Sequence, residues 1–146
     1  MTRQRIDDLV AATVARCFAA FNDHDTDAYV RCFTDDGTLE DIALQQTFKG
    51  HAELAEFMDR WVAACPDTRV DLAEPIISGN RAAVPWLGLG TLTGHFPHLP
   101  ATAVRGSRIE NRGLSLMEFS DDGLVRRQAD YYDIFAVLRQ IGVVPE

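Results

Sequence analysis

"SDDGLVRRQADYYDIFAVLRQIG", residues 120–142, carries three signals in succession, and reading them decides the fold. Ser-Asp-Asp-Gly is a tight-turn sequence with Asp122-Gly123 at its tip, and it follows an extended run from Arg105 to Phe119. A second extended run, Leu124 to Tyr132, comes after it, so the two make a hairpin. At Asp133 the pattern changes. "IFAVLRQIG" has apolar residues at helical spacing, Arg139 in its last turn and Gly142 beyond its end, which puts Asp133 where an N-cap carboxylate belongs. Asp130 has no such local use. Aspartate is depleted in strands and a buried carboxylate is costly, so a plain strand would carry Val, Ile or Thr at that place. Alternation groups Leu124, Arg126, Gln128, Asp130 and Tyr132 on one strand face, and this face is expected to point inward.

Working outward, residues Arg5 to Phe21 place Ile6, Leu9, Val10, Val14, Cys17, Phe18 and Phe21 on one face of a long helix. A short helix from Thr26 to Phe33 follows, then a turn at Asp35-Asp36-Gly37 and a first strand in "TLEDIAL". "KGHAELAEFMDRWVAACPD" predicts a third helix with Leu54, Phe57, Met58, Trp61 and Cys65 on one face. Strand-like runs then span Arg69 to Ile77 and Arg81 to Thr93, before the loop "GHFPHLPATA" and the hairpin; the last helix runs from Ile134 to about Ile141. Helices first and strands after predict one α+β domain over residues 1–146. Its architecture is a cone-shaped barrel of a curved, mostly antiparallel sheet, with three N-terminal helices packed on it and a short C-terminal helix.

The composition narrows the function. At 146 residues and a net charge of -8, the chain is a poor match for a phosphate backbone, which requires a positive surface; nucleic acid is not an expected partner. No apolar run is long enough to cross a bilayer, and the N-terminus turns acidic before any uninterrupted apolar stretch, so a membrane partner is not expected and the expected compartment is the cytoplasm. Cys17, Cys32 and Cys65 sit in apolar helical contexts without metal-ligand spacing, and read as reduced core thiols. His95 and His98 share a proline-bearing loop with no Cys or acidic pair at zinc spacing, so no metal is expected. There is no phosphate-binding glycine loop and no serine nucleophile elbow, and no cofactor is implied.

"FNDHDTDAYVRCFTDDGTLEDIAL", "FKGHAELAEFM" and "DDGLVRRQADYYDIFAVLRQIGV", in this order and spacing, resemble the SnoaL-like polyketide cyclases of the nuclear transport factor 2-like superfamily. The resemblance covers nearly the whole chain. It implies that Asp130 is the general acid/base of the cyclases, and that Asp41 matches the proton-moving aspartate of ketosteroid isomerases. It also implies losses. Cys17 stands where those isomerases have an oxyanion-binding tyrosine, with Ser115 near the place of its partner aspartic acid. Trp86 and Gly88 replace the Arg-x-Asp pair of the epoxide hydrolases, and Leu116 replaces a histidine of the cyclases. Homodimerisation is a further expectation from the resemblance.

Each candidate has a plainer alternative. Asp130 could form a structural ion pair with Arg126, and Asp41 could be a solvated strand end beside a turn, although alternation places it with Leu39 and opposite Glu40. Trp86 is followed on its strand by Gly88 and Gly90, which either leave room for a flat ligand or relieve sheet curvature. Trp86, Cys17, Phe21, Met58, Trp61, Leu116, Gln128 and Tyr132 are the residues expected to touch a substrate, with His95 and His98 as lid candidates. The functional expectation is a cofactor-independent cyclase or isomerase acting on a small, hydrophobic, polyketide-like substrate. It would combine proton transfer at Asp130 with restraint of the substrate's conformation, up to a pericyclic closure. The alternatives are a non-catalytic small-molecule binder, and a dehydratase or other lyase that uses Asp130 with Asp41.

Overall fold

A computed structural model of the chain describes residues 2–97 and 99–145. In chain order the elements are α1 (Arg3–Asn22), α2 (Thr26–Val30), β1 (Phe33–Asp41), β2 (Gln46–Lys49), α3 (Gly50–Ala64), β3 (Arg69–Leu72), β4 (Ile76–Ser78), β5 (Arg81–Leu92), β6 (Ser107–Phe119), β7 (Val125–Tyr132) and α4 (Ile134–Gln140). The strands form one sheet in the order β2-β1-β7-β6-β5-β3, with β4 also on β5. Every pairing is antiparallel except β1 with β7. The edge strands β2 and β3 do not pair with each other, so the sheet curls into an open cone and does not close into a barrel.

The helices cover the concave face because their apolar stripes have nowhere else to go. Val10, Val14, Cys17 and Phe18 of α1 meet Leu54, Phe57 and Met58 of α3, and both groups rest on Leu39, Val84, Met117, Phe119 and Val125 of the sheet. Each large apolar side chain buried this way contributes about 1.5–3 kcal/mol. A second cluster joins Ala64 and Cys65 to Leu92 and Ile109, and Val137 of α4 and Ile141 just past its end complete it. Asp133 caps α4 by accepting from the Ala136 backbone N–H at 3.1 Å, the role that the change of pattern predicts for it.

Several boundaries differ from the sequence reading. The second helix stops at Val30, and Asp35-Asp36-Gly37 is not a turn but the middle of β1. The pairing jumps there from Phe33↔Val125 to Thr38↔Arg127, so β1 bulges outward across the two aspartates. Gly37 allows the bend, since a Cβ on it would lie 3.0 Å from the Val125 carbonyl oxygen. Ile42 to Gln45 form the turn into β2; the sequence reading ran the first strand on to Leu44, began the third helix at Lys49 and left β2 unassigned. The run Arg69 to Ile77 is broken into β3 and β4 around Pro75, whose missing N–H cannot serve a ladder. In β7 the register shifts between Phe119↔Val125 and Glu118↔Arg127, leaving Arg126 on a bulge. Arg126 is therefore exposed and Val125 buried, so inward alternation begins only at Gln128; neither Leu124 nor Arg126 joins that face.

Candidate active site

Four neighbouring strands align the polar groups of the concave face in rows. Asp41 of β1 is in register with Asp130 of β7, Asp130 with Ser115 of β6, and Ser115 with Val84 of β5. One pleat further along lie Tyr132 of β7, Gly113 of β6 and Trp86 of β5. The glycine is a packing requirement. A Cβ at residue 113 would come within 2.3 Å of Trp86 Cη2, so the indole lies across the space that glycine leaves.

From there the indole Nε1–H donates to Ser115 Oγ at 2.9 Å, and the Ser115 hydroxyl donates to Asp130 Oδ1 at 2.6 Å. Gln128 Nε2 donates to the same Oδ1 at 2.9 Å. Asp130 thus has one oxygen held by two donors, while Oδ2 has no protein donor among the described residues. Among the described residues no arginine pairs with Asp130. Beside it, Asp41 accepts from the Tyr132 hydroxyl at 2.9 Å and from the Leu44 backbone N–H at 3.0 Å. Glu40 points to the other face, where Arg127 Nε donates to it at 2.7 Å.

Both acids are buried, Asp41 at 3% and Asp130 at 9% exposure. Burial is the main force on Asp130 and pushes its carboxyl up to about 6; Ser115 and Gln128 oppose the rise, and Asp41 adds to it. Asp41 is also raised by burial, against the Leu44 and Tyr132 hydrogen bonds. Burial and the adjacent Asp41 raise the Tyr132 phenol far above its ordinary value, so it remains a donor. Both carboxyls resist ionisation, chiefly because they are buried, and Asp41 adds a little to the rise at Asp130.

They lie at one end of a cavity of about 760 Å³, part of it open to solvent. Phe18, Phe21, Tyr29, Phe57, Trp61, Trp86 and Tyr132 supply aromatic wall, and Gly88 and Gly90 leave backbone exposed to the interior. Among the described residues that line it there is no lysine, arginine or histidine.

Of the residues picked from sequence, Asp41, Asp130, Cys17, Phe21, Trp61, Trp86, Gln128 and Tyr132 all meet at this cavity. Met58 does not; it is wholly buried in the core, behind the wall. Leu116 is a correction: it is 38% exposed on the convex face, because Ser115 and Met117 take the inward positions of β6. His95 is exposed and away from the cavity, and His98 lies outside the described residues. Sequence reasoning missed Ser115 as a contributor, having treated it only as a lost aspartic acid. Its signal was its parity with Gly113 and Met117 on β6. Among the described residues no three His, Cys, Asp or Glu side chains are grouped as metal ligands, and no helix is long and apolar enough to cross a membrane.

An open cone with helices on its concave side is the fold this chain shares with structures described as ketosteroid isomerase-like and nuclear transport factor 2-like. Within that class the chain belongs to the SnoaL-like domain family, which matches residues 14–128. A structure from Jannaschia sp. CCS1, described as a SnoaL-like polyketide cyclase, superposes with a TM-score of 0.83 at 20% identity, covering 99% of each chain. SalBIII, an epoxide hydrolase/cyclase-like enzyme in pyran ring formation in polyether salinomycin, gives 0.71 at 20% identity over 86% of this chain and 92% of its own. A phenazine biosynthesis-related protein of Pseudomonas aeruginosa gives 0.78 at 21% identity over 100% of this chain and 89% of its own. A comparison with curated proteins finds no match.

Proposed function

We propose that the protein is a cofactor-independent cyclase or isomerase of a hydrophobic, polyketide-like substrate, with Asp130 as its proton-transfer group. The observation that carries this reading is a buried carboxyl at the floor of an aromatic cavity, with one oxygen held and the other free. A carboxyl raised to about 6 can take a proton from a carbon next to a carbonyl and return it to an oxygen later in the same turnover. The aromatic walls contribute by holding a flexible chain in a reactive fold, which removes much of the entropic barrier. The part of SalBIII in pyran ring formation supports the same class of reaction.

The test is turnover and ligand affinity of Asp130→Asn, with candidate polyketide intermediates as substrates. Kept binding with turnover lowered by at least about a hundredfold fits a general acid/base. Unchanged turnover sinks the assignment, and binding without turnover in the wild type favours a non-catalytic carrier. A lyase reading draws on Asp41, since it lines the same cavity next to Asp130 and a second carboxyl could expel water as the first takes a proton. Equal loss of dehydration in Asp41→Asn and Asp130→Asn would favour it.

We also propose a homodimer through the convex sheet face, in a cytoplasmic protein. Leu116 and Tyr131 are exposed there at 38% and 42%, and Leu114, cross-strand from Tyr131, continues the strip. Leu116→Lys is expected to halve the mass measured by light scattering; an unchanged mass argues against this face.

A further inference from the structure

The hydrogen-bond directions at the cavity floor say what kind of ligand the site lacks. Four side chains beside the two acids already give their N–H or O–H to a protein acceptor. The Trp86 indole N–H is given to Ser115, the Ser115 hydroxyl and the Gln128 amide to Asp130, and the Tyr132 hydroxyl to Asp41. The Leu44 N–H is also given to Asp41. Acceptors are left over. Asp130 Oδ2 receives no protein donor, and Gln128 Oε1 is buried without any partner. Gln128 is 3% exposed and lines the cavity. A ligand whose inner end is a carboxylate would, above pH 6, meet these acceptors and an ionised Asp130. One that brings N–H donors completes the set.

Charge points the same way. The titratable groups around Asp130 are Asp41 from β1, Tyr132 from its own strand, Cys17 from α1 and Tyr29 from α2; each is an acid, and none can supply positive charge. From β5 and β6 come Trp86 and Ser115, which are neutral. The walls are aromatic, and aromatic faces attract cations. Trp86 and Tyr132, with ring centroids 6.4 Å apart, stand next to the two carboxyls.

We infer that the cavity selects its ligand by charge, binding hydrophobic molecules whose inner end is a protonated amine and rejecting carboxylates of the same shape. This narrows the substrate class of the proposed enzyme and rests on that reading only for the word substrate. A cation seated between Asp41 and Asp130 would let both ionise together, which each otherwise hinders in the other. It would also donate to Asp130 Oδ2.

A matched series tests this without turnover. 4-Phenylbutylamine, 4-phenylbutan-1-ol and 4-phenylbutyrate share a phenyl ring and a four-carbon chain and end, at pH 7.5, in a cation, a neutral hydroxyl and an anion. Both tryptophans of the chain, Trp61 and Trp86, line the cavity, so quenching of intrinsic fluorescence reads occupancy directly. The amine is expected to bind at least about tenfold tighter than the alcohol, on the scale of a cation that gains both a carboxylate and an aromatic face. The carboxylate is expected to bind more weakly than the alcohol. In Asp130→Asn the amine's advantage over the alcohol should shrink severalfold, since one of the two carboxyls is gone and Asp41 remains. Equal binding of amine and alcohol by the wild type, or tightest binding of the carboxylate, overturns the inference whatever the variant does. The wild-type series needs no catalysis. A neutral polyketide turned over through Asp130 with no amine preference would sink this inference and leave the proposed reaction standing.

Discussion

Replacing Asp130 by asparagine should make the protein more stable at neutral pH and leave it unaltered in acid. The native carboxyl is held near 6 against an ordinary 3.8, chiefly by burial. Below pH 3.8 the proton is bound in both native and unfolded chains, and Asp130 adds no pH dependence. Between the two values the unfolded chain releases the proton while the native chain keeps it. Stability then falls as pH rises, until the native carboxyl ionises too. The gap between the two values, at roughly 1.4 kcal/mol per pH unit, makes the full cost about 3 kcal/mol above pH 7. Asparagine keeps an Oδ1 to accept from Ser115 and Gln128 and never ionises, so it escapes this cost. Urea unfolding of both proteins, followed by far-ultraviolet circular dichroism from pH 4 to 8, measures it. The stability difference, variant minus wild type, should grow by about 2–3 kcal/mol across that range, with most of the change between pH 4 and 6.5. Constant effects of the substitution cancel in this comparison. A difference that stays flat, or shrinks as pH rises, would show that the native carboxyl is not held up, and the argument for a poised proton carrier would go with it.

Three other outcomes follow from the same hydrogen bonds. Ser115→Ala removes a donor from Asp130 and the acceptor of the Trp86 N–H, so about 1–3 kcal/mol of stability should be lost. The Asp130 carboxyl, followed by carbon-13 NMR, should titrate at higher pH than in the wild type. Tyr132→Phe takes away a bond that holds the Asp41 carboxyl down, so Asp41 should likewise titrate higher, at a cost near 1 kcal/mol in denaturant unfolding. Gly113→Ala puts a methyl where the indole lies and should cost roughly 1–3 kcal/mol. The near-ultraviolet tryptophan signal should change with it; an unaltered signal would mean that the indole does not rest on that glycine.

How far the sequence could be read depended on whether a residue's meaning was local. Asp133 was legible because a cap is defined by the few residues after it. Asp130 and Tyr132 were legible because alternation holds along β7 from Gln128 onward. Arg126, two residues earlier, was assigned to the wrong face, since a bulge inserts one residue and reverses the parity of everything before it. Asp35-Asp36-Gly37 failed for a related reason: the residues that make turns also make bulges, and only the pairing of β1 with a distant strand tells them apart. Leu116 was misplaced by a single position, and a single position in a strand exchanges concave for convex. Ser115 became meaningful only once the register set it opposite Asp130.

The parallel pairing of β1 with β7 also governs when the site can come into being. Asp41 and the hydroxyl of Tyr132 are 91 residues apart in the chain, and β7 is the last strand made. Until β7 is inserted between β1 and β6, each of those strands has an unsatisfied edge, and the two carboxyls have never met. Contacts this distant close slowly, and on a ribosome they cannot close before β7 has been made. The same insertion that joins the two halves of the sheet assembles the floor of the cavity. A chain that lacks β7 therefore has neither the acid pair nor a continuous sheet.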